Sequence, residues 1–135
     1  MLISSKYSVN NLKGNGISPL IIAARDPNCE SIIDMLLKKG AKINHISDSG
    51  QSALSQSVMH DTINLAPKLL KHGAKMIFDN LEFRDLSPII VSIKENKKWA
   101  LEMFCDQGAK IDDWRTKNGT NFLVYAARNG FDDMC

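Results

Sequence analysis

A chain of 135 residues with 44% apolar and 24% charged side chains has material for one folded core and too little charge to stay disordered. Lys and Arg number 17 against 15 Asp and Glu, and the resulting net charge of +2 removes the electrostatic case for a nucleic-acid groove or an anionic lipid surface. The longest apolar stretches, at 20–24 and 88–91, fall far short of the roughly 20 residues a membrane span needs, and no signal-peptide pattern opens the chain. Cys29, Cys105 and Cys135 are an odd, widely spaced set that reads as free thiols in a cytoplasmic or nuclear setting.

In chain order, Met1-Leu2-Ile3 and Val9-Asn10 read as the tail of a unit whose full form follows. Ser18-Pro19 then places a capping serine before a proline at the first helical position, where the missing N–H costs nothing. Leu20, Ile21, Ile22, Ala23 and Ala24 predict a short inner helix, apolar on nearly all sides because neighbours cover both flanks. After the polar break Asp26-Pro27-Asn28, the spacing of Ile32, Ile33, Leu36 and Leu37 predicts a second helix that stops at Gly40. The turn-rich chain from there to the next capping serine suits a hairpin-like finger.

The second copy opens at Gly50-Gln51-Ser52, and its LLKHGAKMI at 69–77 echoes LLKKGAKIN at 36–44 across 33 residues. Pro67 falls a few residues after the plausible cap Thr62; deeper in a helix it would cost about 3 kcal/mol, so a late start or a distorted first turn is expected. The finger at 73–85 is two residues longer than the one at 40–50 and carries Met76, Ile77, Phe78, Leu81 and Phe83, which predicts an enlarged apolar finger reaching a partner. Ser87-Pro88 caps a third copy, in which Ile89, Ile90, Val91 and Ile93 form the inner helix and Leu101, Phe104 and Cys105 the second, up to Gly108. A fourth copy begins at Gly119 and runs to Asn129-Gly130; without its second helix, Leu123, Tyr125 and Ala126 should be only partly covered.

These residues resemble ankyrin repeats, units of roughly 33 residues built from a β-turn and two helices around Thr-Pro-Leu-His-x-Ala. Ser18-Pro19-Leu20 with Ala23-Ala24, Gly40-Ala41 with Asn44, and Gly73-Ala74 carry the resemblance. Departures are the motif histidine, replaced by Ile21, Ser55, Ile90 and Val124, and the proline, replaced by Ala53 and Phe122. The resemblance implies an all-α solenoid of stacked helix-turn-helix units with β-hairpin-like fingers. It divides the single array 1–135 into a partial repeat 1–15, repeats at about 16–48, 49–83 and 84–117, and a truncated repeat 118–135. In the family the motif histidine bonds neighbouring turns, so its loss implies looser loops.

Catalytic and metal chemistry find little support in the residue pattern. His45, His60 and His72 fall on a finger, an interhelical turn and a helix end, and Cys-x-x-Cys, His-Glu-x-x-His and phosphate-loop motifs are all missing. No enzyme activity, cofactor or metal is therefore expected. Cys105 reads as a small buried apolar residue and Trp99 as packing, while Glu30 and Asp34, one turn apart, read as a solvated face. Lysines near helix C-termini, such as Lys38, Lys39 and Lys71, offset the macrodipole. Asn118-Gly119-Thr120 is a glycosylation sequon by letter only, since Gly119 holds the repeat's own glycine position.

By resemblance, contacts come from finger tips and from residues just after the first-helix alanines. Here those are Asp48, Ser49, Gln51, Met59 and His60; Phe83, Arg84, Leu86, Lys94 and Glu95; and Lys117, Asn118 and Thr120. Trp114 joins them, because it aligns with Ile46 on a finger where the motif asks for no large aromatic. The expected function is a scaffold or adaptor that binds another protein, as a monomer or within a longer array, with no nucleic acid and no membrane insertion. A chain that starts and ends inside a repeat also suits a second expectation, the regulatory or targeting segment of a larger enzyme or channel.

Overall fold

The computed structural model describes residues 15–109, 115, 118–128 and 130, without the side chains of Leu81, Phe122 and Leu123. The chain forms two compact units, one up to Lys75 and one from Met76 onward. Among the described residues there is no strand, and the one bridge is the isolated antiparallel pair Arg115 and Asn121.

The first unit holds two helix pairs. Helix α1 (Pro19–Ala23) starts at Ser18, whose hydroxyl accepts the Ile21 N–H at 3.3 Å with Pro19 following it. A 3-10 turn, Pro27–Cys29, leads into α2 (Glu30–Lys38), which buries Ile33 and Leu36. In the next copy α3 (Ala53–Met59) opens with a reciprocal box: Ser52 accepts from the Ser55 N–H at 3.1 Å and Ser55 Oγ accepts from the Ser52 N–H at 2.9 Å. Ser55, at the place of the motif histidine, thus satisfies orphan donors at its own helix start. Helix α4 (Ala66–Lys71) begins late, with Pro67 in its first turn, as the proline requires. The core is Leu20, Ile21, Ile33, Leu36, Leu54, Leu65 and Leu69, each at most 1% exposed. Ile22 departs from the expected all-round burial and is 37% exposed.

Ties between the successive copies are polar and specific. The Thr62 hydroxyl is buried, donates to the Ala24 carbonyl oxygen at 2.9 Å and lies 2.7 Å from Ser57 Oγ. Asn44 clamps the following finger at two points, donating to the Gly73 carbonyl at 3.0 Å and accepting from the Lys75 N–H at 2.8 Å. His45 Nε2 donates to the Gly16 carbonyl at 2.7 Å. Gly16 itself has φ +77, and a Cβ there would meet Asp48 Oδ1 at 2.9 Å and the Asp48 nitrogen at 3.2 Å, so no other residue fits without movement. The looser loops implied by the absent motif histidine are replaced by these bonds. Lys68 pairs with Asp34 at 2.7 Å and Glu30 at 3.1 Å, so the two carboxylates share a cation on the neighbouring copy. That contact pulls the Glu30 carboxyl below its ordinary range and pushes the Lys68 ammonium up.

The second unit contains α5 (Pro88–Lys94), α6 (Lys98–Asp106) and α7 (Phe122–Arg128). Ile89, Ile90, Ile93, Ala100, Leu101 and Phe104 form its core. Ser87 does not cap α5; its hydroxyl accepts the Phe78 N–H at 2.8 Å. The interhelical turns share one backbone device, since Asp61 (φ 56), Asn96 (φ 54) and Gly130 (φ 87) all take the left-handed conformation that ends the first helix of a copy. In the first copy the 3-10 turn stands in that place. Two expectations are corrected. Ala126 is fully buried, because it occupies the position of the buried Ser57 and Ser92 and one neighbouring helix suffices to cover a methyl. Cys105 is half-buried and disulfide-bonded rather than buried and free, whereas Cys29 is a free thiol.

Candidate protein-interaction face

The finger of the first unit turns tightly at 47–50, where Ser47 N–H donates to the Gln51 carbonyl at 2.8 Å and Gly50 N–H to the Ser47 carbonyl at 3.0 Å. This turn exposes Asp48 and Ser49 at its tip. Asp48 N–H bonds the Asn15 carbonyl at 3.1 Å, and Ser49 Oγ lies 3.3 Å from Ser47 Oγ, so both tip residues are held by their surroundings. Met59, the last residue of α3, is 38% exposed, and His60 after it is exposed as well.

Gln51 is not an open contact residue in the same sense. Its side-chain oxygen accepts from Arg25 Nη2 at 3.0 Å, while the buried Gln56 accepts from Arg25 Nε at 2.8 Å. Arg25 follows Ala23-Ala24 as Met59 follows Val58, so the repeat register carries the signal that would have placed it among the candidates. Ile22 precedes Arg25 by one turn, and Arg25 N–H bonds its carbonyl at 3.2 Å.

In the second unit the long finger folds back on itself. Phe78 is 3% exposed, and Met76 and Ile77 are half-buried, which corrects the expectation of an apolar finger reaching outward. A 3-10 helix, Leu81–Leu86, starts at Asn80, whose side chain accepts the Glu82 N–H at 2.9 Å. Arg84 donates to the Phe78 carbonyl at 3.3 Å and the Asp79 carbonyl at 3.2 Å, so this candidate staples its own finger. Phe83 is half-buried and Leu86 is 38% exposed. Lys94 and Glu95 are exposed where α5 ends. Asn118 is exposed and Thr120 half-buried; Trp114 and Lys117 lie outside the described residues. Burial, and secondarily the Asp85 carboxylate, pushes the Tyr125 phenol up.

Nothing among the described residues gathers three potential metal ligands. His72 Nδ1 donates to the Lys68 carbonyl at 3.0 Å, a helix-end bond. Partial burial, with the Asp26 carboxylate next, raises the Cys29 thiol, which works against a nucleophilic thiolate. No helix among the described residues is long and apolar enough to cross a membrane.

Helix pairs recurring along the sequence, left-handed glycines after α2, α4 and α6, and fingers between the pairs define an all-α helix-turn-helix repeat protein. A family model of ankyrin repeats in three copies matches residues 1–80, more than half of the chain. The chain belongs to the ankyrin repeat family, whose units generally bind other proteins and are typically non-catalytic. It is 27% identical over 131 residues to ankyrin repeat protein nuc-2 of Neurospora crassa, a match covering 96% of this chain. The chain spans 12% of the length of that curated relative.

Proposed function

We propose that the chain is a protein-binding scaffold or adaptor segment without catalysis of its own, and that the partner lies on the finger tips and first-helix ends. Asp48, Ser49, Met59 and His60 form the working row of the first unit; Leu86, Lys94 and Glu95, with Phe83 and Arg84 as supports, form that of the second. Asn118 and Thr120 extend the row, and Trp114 and Lys117 belong to it by repeat position. The observation that carries this reading is that the ends of both α3 and α5 leave an exposed pair, Met59-His60 and Lys94-Glu95, at matched repeat positions. Fingers held by fixed hydrogen bonds lose little freedom on binding, which favours affinity.

The test is selection of a displayed random peptide library on the whole chain, followed by the variants Met59→Glu and Lys94→Glu. Enriched peptides whose binding falls on these changes, and not on Lys38→Glu at the end of α2, are expected. A library that yields no binders, or binders indifferent to both face changes, overturns the proposal. We further place the protein in the cytoplasm or nucleus; immunofluorescence and cell fractionation that find it in the secretory pathway would overturn that placement.

A second reading makes the chain a regulatory or targeting part of a larger enzyme or channel. The 12% share of the curated relative's length favours a segment of a longer protein. The length of the endogenous protein on an immunoblot tests it.

A further inference from the structure

Arg25 combines features that a merely structural arginine does not need. It is half-buried, and its two bonded partners, Gln51 and Gln56, are neutral amides, so they orient the guanidinium without cancelling its charge. Glu30 and Asp34, on the helix that follows it, are taken up by Lys68. The nearest carboxylate in sequence, Asp26, is turned to its own helix start and accepts the Asn28 N–H at 2.9 Å. Of the five N–H donors a guanidinium carries, two are used, leaving about three. No buried side-chain nitrogen or oxygen among the described residues is left without a partner, so Nη1, which makes neither of these bonds, is open to solvent.

The edge carrying Nε is occupied by Gln56, with Gln51 taking one donor of Nη2, which leaves the end of the fork presented outward. That end is the geometry for two parallel bonds to a carboxylate. Exposed apolar residues belong to the same helices: Ile22, one turn before Arg25, is 37% exposed, and Met59, one turn after Gln56, is 38% exposed. A charged centre preoriented by neutral groups, with exposed aliphatic and thioether surface around it, is a selective receptor rather than a general cation.

We propose that Arg25 seats a side-chain carboxylate of an acidic peptide segment in the partner, with an apolar partner residue next to the acid packing on Ile22 and Met59. This inference rests on the protein-binding reading above and narrows it to one partner chemistry. It follows that recognition is charge-assisted at one point and apolar around it, so affinity falls with salt only modestly.

The experiment uses the whole chain and the peptides enriched from the random display library, resynthesised with amidated C-termini. Sequences with Asp or Glu beside an apolar residue are expected, and replacing that acid by its amide should weaken binding roughly tenfold to hundredfold. Arg25→Gln should cause a comparable loss, and Arg25→Lys, which keeps the charge and loses the fork, a smaller one. Circular dichroism checks folding, and Ile22→Glu provides a variant that leaves the Gln51 and Gln56 bonds intact while placing a competing carboxylate beside Arg25; it should abolish binding of the acidic peptides. Binders without acidic enrichment, or indifferent to both Arg25→Gln and Ile22→Glu, overturn this inference and leave the protein-binding function standing. Binding that needs a free peptide C-terminus also overturns it. Absence of any binder overturns the function itself.

Discussion

The finger at 40–52 is held by the copies on either side of it, whereas the finger at 76–87 is held from within. Asn44 and His45 reach Gly73, Lys75 and Gly16 across about one repeat in each direction. At the equivalent positions the next copy has Ile77 and Phe78, and Phe78 is buried with its N–H on Ser87 and its carbonyl on Arg84. Two buried hydroxyls differ in reach as well. Thr62 Oγ1 donates to the Ala24 carbonyl in the preceding copy, while Ser92 Oγ, within α5, donates to the Ile89 carbonyl of its own helix at 2.6 Å. One repeat pattern therefore supports two ways of ordering a loop: directional bonds that reach a neighbouring copy, and packing of apolar residues within the finger.

The sharpest way to break this contrast is Phe78→Ala. Loss of a buried aromatic should cost about 3–5 kcal/mol, and denaturant unfolding should show the second unit losing stability; a loss under about 1 kcal/mol would mean that the finger does not depend on its own core. Thr62→Val keeps the shape and removes the hydroxyl, leaving the Ala24 carbonyl without its partner inside the first unit. About 1–3 kcal/mol is expected, with faster amide exchange in α1 and α3.

Gly16→Ala attacks the same side of the comparison through the backbone. The positive φ and the contact with Asp48 together should cost about 1–2 kcal/mol, seen as a lower midpoint, and an unchanged midpoint would show that the finger moves aside freely. Asn44→Ala removes two exposed bonds and should cost about 1 kcal/mol; Asn44→Asp retains the acceptor for Lys75 and should recover part of it.

The smallest effect is the pH dependence of the Lys68 bridge. Glu30 has a folded pKa below its unfolded value, so its contribution is present above the ordinary carboxylate range and disappears as pH falls through the lowered value. Lys68 is raised, so its share is complete below the ordinary lysine range and disappears as pH rises through the higher value. The melting temperatures of the wild type and Lys68→Met should differ slightly at neutral pH and converge in acid below about pH 4. A difference that persists there would assign Lys68 a packing role instead.

The helices, their order and the late start of α4 were legible because each depends on spacing within one element: Ile33 with Leu36, or Pro67 against Thr62. The left-handed turns after α2, α4 and α6 were legible as glycines. What escaped was any role decided by a partner elsewhere in the fold. Ser87 looks like a cap by its neighbour Pro88 but serves Phe78, and Phe78 looks like an exposed finger residue until its burial is seen. The bonds of Arg25 escaped for the same reason, since neither Gln51 nor Gln56 declares in sequence which cation it holds. Linear spacing reports which side of an element a residue occupies, and says little about what arrives there from the next copy.

The side-chain ties of the first unit join residues separated by between 26 and 38 positions. Each is thus a clasp between adjacent modules, formed once a short loop has closed and requiring no distant part of the chain. Under an applied end-to-end load such clasps yield in succession, so an extended molecule should lengthen by discrete increments of one helix pair instead of rupturing at once.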